Sequence, residues 1–254
     1  MEVVLIRNEQ LHGYILHARP YREKSRLLHF FSLEHGRIDG IVRQSPPPLY
    51  QSCIVLSHGK SALKSFTQVE QVGSVDVLTG ANLIAGFYLN ELLVKLLPVA
   101  DPSPSLFAAY TSTIQALARV VDAADARSHM VKTLRYFEYH LLLSLGYAVQ
   151  FDTDTLGRPI DTQAYYQYAI GEGFVLQHNA QGEWGAHLIA MQQAQTAFSA
   201  DSLPMLTRTF RVIIDELLGH KPLKSRDLWV RERRQTTVGG APAMRPIQHG
   251  IALV

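Results

Sequence analysis

The chain has 254 residues, 47% of them apolar and 18% charged, with a formal net charge of +2. Its mean hydropathy is +0.01, as in an ordinary globular chain long enough for one large domain or two smaller ones. No stretch approaches the roughly 18 uninterrupted apolar residues of a membrane-spanning helix, so no membrane association is expected. The opening residues MEVVLIRNEQLHGY alternate in polarity, without the charged and then apolar runs of a signal peptide. Cys53 is the only cysteine. It excludes an internal disulfide framework and a cysteine-based zinc site, and it fits a reducing, cytoplasmic location.

The charge is uneven along the chain. Residues 1–78 hold nine Lys/Arg against seven Asp/Glu, residues 79–205 six against eleven, and residues 206–234 eight against four. Two weakly basic segments therefore flank an acidic middle. That pattern suits a polyanion partner, although solvated faces alone can produce it.

In chain order, residues 3–6, 11–17, 26–32, 37–43, 53–57 and 63–75 are short apolar or alternating runs. Turn signals at Gly13, Arg19-Pro20, Glu34-His35-Gly36, Ser45-Pro46-Pro47-Pro48 and Ser57-His58-Gly59-Lys60 separate them. Several short strands packed so tightly predict a small barrel or sandwich. From about residue 79 the period changes to helical, over 81–100, 104–122, 127–145, 187–197 and 202–219. Gly146 and Gly219 stand where helix C-terminal glycines belong. Residues 147–185 lose the helical period, and the β-prone Tyr165, Tyr166, Tyr168 and Phe174 predict an inserted loop and hairpin. The stretch 236–254 has no period and reads as a mobile tail.

Four segments in order, GYILHARPYREKSRLLHFFSLEHGRIDGIVR (13–43), GFYLNELLVKLLP (86–98), RYFEYHLLLSLGYAVQFD (135–152) and LLGHKPLKSRDL (217–228), resemble the RecO family of bacterial recombination mediators. The Gly-x-Lys-Pro-Leu-Lys-Ser-Arg stretch is the most specific of them. The resemblance implies an α+β fold. An N-terminal OB barrel (1–78) would precede a helical domain (79–235) carrying the inserted hairpin 147–185, with 236–254 as a tail. It also implies a non-catalytic protein of DNA repair. Such a protein binds single- and double-stranded DNA, anneals strands, engages the C-terminal tail of single-strand-binding protein and a RecR-type partner, and indirectly supports RecA loading. A cytoplasmic, nucleoid-associated location follows.

Two departures qualify the resemblance. Many relatives carry four zinc-binding cysteines after the Leu-Gly-Tyr segment. Residues 151–174 here contain neither cysteine nor histidine, so no metal or cofactor is expected. A basic loop common after the third strand is replaced by the uncharged Gln44-Ser45-Pro46-Pro47-Pro48-Leu49-Tyr50.

The candidate DNA contacts are Arg19, Tyr21, Arg22, Lys24, Arg26, Arg37 and Arg43, with cations to track phosphates and an aromatic to stack on a base. Edge-strand charges that discourage sheet pairing would look the same. Lys221, Lys224 and Arg226 either continue a DNA path, or else cap the last helix and pack onto the barrel. Lys132 and Arg135 are candidates for a pocket binding the partner's acidic tail. His12, His17, His29 and His35 lack compact ligand spacing and are expected to be solvated or packed. No phosphate-cradling Gly-Lys loop, Gly-x-Ser-x-Gly elbow or His-Glu-x-x-His occurs. Two alternatives remain: a protein-interaction module without DNA, and a metal-dependent nuclease using Asp152, Asp154 and Asp161.

Overall fold

The computed structural model describes residues 8–73, 77–119, 121–179, 181–194 and 198–238. They form two compact units: residues up to Ala118 together with those from Pro222, and Arg119–Lys221. The expected strand at 3–6 lies outside the described residues, as does the expected tail from 239 onwards.

In the first unit, strands β1 (Glu9–Tyr21), β2 (Ser25–Ser32), β3 (Gly36–Val42), β4 (Ser52–His58) and β5 (Leu63–Gln71) close into a barrel of order β1-β2-β3-β5-β4. All neighbours are antiparallel except β3 and β5. This is the small barrel that the alternating runs predict and the OB arrangement that the resemblance implies. Leu11, Ile15, Leu28, Phe30, Ile38, Val42, Val55, Phe66 and Val69 fill the interior. Cys53 joins them, and burial pushes its thiol up to about 11, so it is an inert apolar group.

Arg19-Pro20 does not break β1 as expected. Pro20 pairs with Arg26 inside the ladder. Beyond Tyr14 the strand pairs only with β2, so an open edge accepts a residue without an N–H. The ladder also shifts register between Ile15 and His17. The shift reverses the alternation: Ile15 faces the core, yet so does Ala18, while His17, Arg19 and Tyr21 turn outward.

Helices α1 (Gly80–Leu96) and α2 (Pro104–Ala118) complete this unit with α6 (Lys224–Val238). Tyr14 and Phe31, paired on the outer face, pack against Tyr110 of α2 at ring distances of 5.1 and 5.8 Å. The Tyr110 hydroxyl donates to Asn90 Oδ1 (2.7 Å), and Asn90 Nδ2 donates to the carbonyl of Leu16 at the bulge (2.9 Å). The uncharged loop after Arg43 has a packing role here: Leu49 lies against the barrel core, and Tyr50 is buried 6.2 Å from the Phe87 ring. At Gly13, any Cβ would collide with the carbonyl of Phe31 on the paired strand. Backbone cannot swing aside, so Gly13→Ala is expected to cost about 2 kcal/mol, measurable by denaturant unfolding.

The second unit holds α3 (Ala126–Ser144), α4 (Gly185–Ala194) and α5 (Leu203–Leu217), with a sheet of order β7-β6-β8. Its strands β6 (Tyr165–Ala169), β7 (Gly173–Gln177) and β8 (Glu183–Trp184) form the predicted hairpin. Phe174 is fully buried beside Phe151 and Tyr168, at 5.7 and 5.2 Å. Gly146 and Gly219 end α3 and α5 at positive φ. In both, the amide beyond the glycine bonds back five residues, His220 to Asp215 and Tyr147 to Leu142.

Helix α6 was not among the expected helices. Its sequence is strongly polar, and the apolar period that marks the other helices is missing. Residues 236–238, expected in the tail, are its last turn.

Candidate nucleic-acid interface

The β1–β2 hairpin carries the basic cluster. Arg19 and Tyr21 face outward from β1, opposite Leu27 and Ser25, while Arg26 pairs with Pro20 and Val42 at the barrel's end. Arg22, Glu23 and Lys24 form the turn, and Arg43 follows β3 directly. Arg19, Arg22, Lys24, Arg26 and Arg43 are all exposed. Among the described residues none of the five joins an ion pair. The Arg22 backbone is left-handed (φ +56°), and its guanidinium lies 5.2 Å from the centre of the Tyr21 ring. A half-buried aromatic is thus presented beside unpaired cations, the combination that holds a base and its phosphates.

Arg37 stands apart from this cluster. It lies at the opposite end of β3, half-buried, where Nη1 donates to the carbonyl of Val94 near the end of α1 (2.5 Å) and Nε lies 3.7 Å from Asp39. A cation on the carbonyl end of a helix is well placed structurally, and its charge is spent there.

Gly219 and His220 close α5, and the Lys-Pro-Leu-Lys-Ser-Arg stretch that follows leads into α6. The carboxylate of Glu91 on α1 accepts from the amides of Lys224 (3.0 Å) and Ser225 (2.9 Å) and from the Ser225 hydroxyl (2.7 Å). Lys95 closes the joint at 3.1 Å from Glu91, and it also donates to the carbonyl of Pro222. A carboxylate on the first amides of a helix satisfies donors that would otherwise be orphaned. Leu223 is wholly buried, Lys224 exposed and Arg226 half-buried. Lys221 is exposed at the end of the second unit. Glu91 was not a sequence-level candidate. Its only signal is a lone acid in α1, with Lys95 four residues further on.

Of the expected tail-binding pair, Lys132 is exposed, but Arg135 is buried and donates to Glu138 on its own helix at 2.5 Å. The histidines are packed or partnered. His12 meets Glu34 at 2.7 Å, His35 meets Glu9 at 2.6 Å and His29 meets Asp39 at 2.7 Å. His17 lies 5.8 Å from His29, ring to ring. Asp154 is committed to a turn: it accepts from the amides of Leu156 and Arg158 (both 2.9 Å) and from the Arg158 guanidinium. That guanidinium, ahead of the amides, holds the carboxyl below its usual range. Asp152 and Asp161 are exposed on the loop around it. Among the described residues no group of three or more acidic, histidine or cysteine side chains could hold a metal. None of the described helices is long and apolar enough to cross a membrane.

A closed five-stranded barrel with a basic, aromatic-bearing hairpin, followed by helices, defines an OB-barrel protein. The family described as "Recombination protein O N terminal" matches residues 6–75, and "Recombination protein O C terminal" matches residues 78–227. The DNA repair protein RecO of Pseudomonas paraeruginosa is 35% identical over 228 residues, covering 87% of this chain and 94% of that protein. Those of Marinobacter nauticus (37%, the same coverage) and Cellvibrio japonicus (39%, 85% and 94%) are similarly related. The chain belongs to the recombination protein O family, whose role lies in DNA repair and recombination.

Proposed function

We propose that the chain is a non-catalytic recombination mediator that grips single- and double-stranded DNA through the β1–β2 hairpin. The observation that carries this reading is the set of exposed, unpaired cations Arg19, Arg22, Lys24, Arg26 and Arg43 around Tyr21. Lys224 and Arg226 extend the basic surface. Neutralising phosphates on two strands lowers their mutual repulsion, which is the physical basis for annealing. In the same reading, Lys132 contributes to a site for the acidic tail of single-strand-binding protein, with Arg135 shaping its wall. A RecR-type partner and, indirectly, RecA complete the pathway. The domains function as a barrel (1–78) and a helical part (79–235).

Because single strands give a slope of about −0.7 in log affinity per log salt for each neutralised phosphate, contacts from all five cations predict a slope of about −3.5. Fluorescence anisotropy of a labelled oligonucleotide between 50 and 200 mM salt, about a fourfold change, reads that slope directly. An affinity indifferent to salt would overturn the hairpin reading and favour a protein-interaction module.

A further inference from the structure

Two basic features far apart in sequence are tied together through one helix of the first unit. The register shift after Ile15 turns His17 and Arg19 to the same outer side of β1. From the bulge carbonyl of Leu16 the contact runs to Asn90, and the next residue of α1, Glu91, holds the first amides of α6. This chain of hydrogen bonds ties the start of α6, at Lys224, through α1 to β1 at the residue before His17, and Lys224 lies near enough for its charge to act on the His17 ring.

Resting on the DNA-binding reading above, we propose that His17 is a proton-linked ligand for a DNA backbone phosphate, joining the hairpin cations through Arg19 to Lys224. The groups around it can be named element by element. Arg19 lies on its own strand. His29 faces it from β2 at 5.8 Å, and His29 is itself tied to Asp39 of β3, which also meets Arg37. Lys224 stands on α6, with Glu91 and Lys95 of α1 behind it. Asp39 and Glu91, the acids of this set, are both engaged by other groups, so the field at the ring is set by cations.

Burial, then His29, Arg19 and Lys224, all disfavour a proton on His17 and lower its titration below the usual 6.5. The imidazole is therefore neutral at neutral pH in the free protein. A phosphate seated among His17, Arg19 and Lys224 supplies the missing negative charge and raises the ring's affinity for a proton. Binding then takes up a proton, and by linkage DNA is held more tightly as pH falls. In the sequence His17 is one of several barrel histidines, two residues before Arg19.

The test is oligonucleotide binding by fluorescence anisotropy at constant ionic strength, from pH 8 to pH 6, for the wild type and His17→Gln. The wild type is expected to gain several-fold in affinity, bounded at tenfold per pH unit for one proton, and His17→Gln to lose most of that gain. A parallel NMR titration of the His17 ring, with and without oligonucleotide, is expected to show its pKa rise on binding. Should His17→Gln keep the full pH dependence, or the ring titrate identically in both states, the proton-linked site is refuted while DNA binding stands. A wild type that binds no DNA at either pH removes both readings.

Discussion

Arg22→Glu combined with Lys24→Glu is expected to lower single-strand affinity about a hundredfold at low salt. Each cation lost from a phosphate contact is worth about 1.4 kcal/mol, near the lower end for hydrogen bonds to charged groups, and two such losses multiply. The salt slope should flatten by about 1.4, that is 0.7 for each of two contacts. Both residues are exposed in the hairpin turn and join no ion pair among the described residues. Arg22 already has its left-handed backbone, and glutamate gains nothing and loses little there compared with arginine. Thermal stability should therefore move by less than about 0.5 kcal/mol. Anisotropy titrations and a melting curve on the same preparation separate the two effects. Equal affinity in wild type and variant would place the DNA away from the hairpin.

The second large effect falls on folding. Glu91→Ala is expected to destabilise the first unit by about 3 kcal/mol, because it strips three donors of their charged acceptor and leaves the buried Ser225 hydroxyl without it. In a chain of this size that corresponds to a fall in Tm of roughly 6–12 °C. The pH dependence follows from the same contacts. Burial pushes the Glu91 carboxyl up, but the Ser225 amide and hydroxyl, the Lys224 amide and Lys95 outweigh it and hold it below 4.5. A carboxyl depressed in the folded state stabilises at every pH above its unfolded value. That contribution is lost as pH falls through the depressed value. Glu91→Gln should thus lower stability at pH 7 and flatten the acid limb of the stability profile below about pH 4.5. Unfolding in urea across pH 3–7 would reveal it, and parallel profiles for wild type and variant would deny Glu91 this role.

In the proposed reading, the DNA-facing and structural roles of the basic residues divide by partnering. Arg37 and Arg135 are engaged by a helix carbonyl and by Glu138, whereas the hairpin cations meet no acid among the described residues. A sequence lists all of these as positive charges of one kind. Only their neighbours separate a tether from a contact.

The architecture and the family were legible along the chain. Alternating runs read as strands because one barrel face is buried, and the helical stretches read as helices because each has an apolar side, with Gly146 and Gly219 marking their ends. Local pattern carries that information. Three features were left to the tertiary structure. The bulge at Leu16 is one, since a single extra residue reverses every side chain beyond it without leaving a mark in a period of two. Helix α6 is another: its start is held by Glu91, more than 130 residues away in the chain, and its own residues are too polar to show a face. The third is the link between β1 at Leu16 and the start of α6 at Lys224, which exists only because Asn90 and Glu91 are adjacent on one helix and bind β1 and α6 respectively. Long-range hydrogen bonds made those three decisions, and no window along the chain contains both partners.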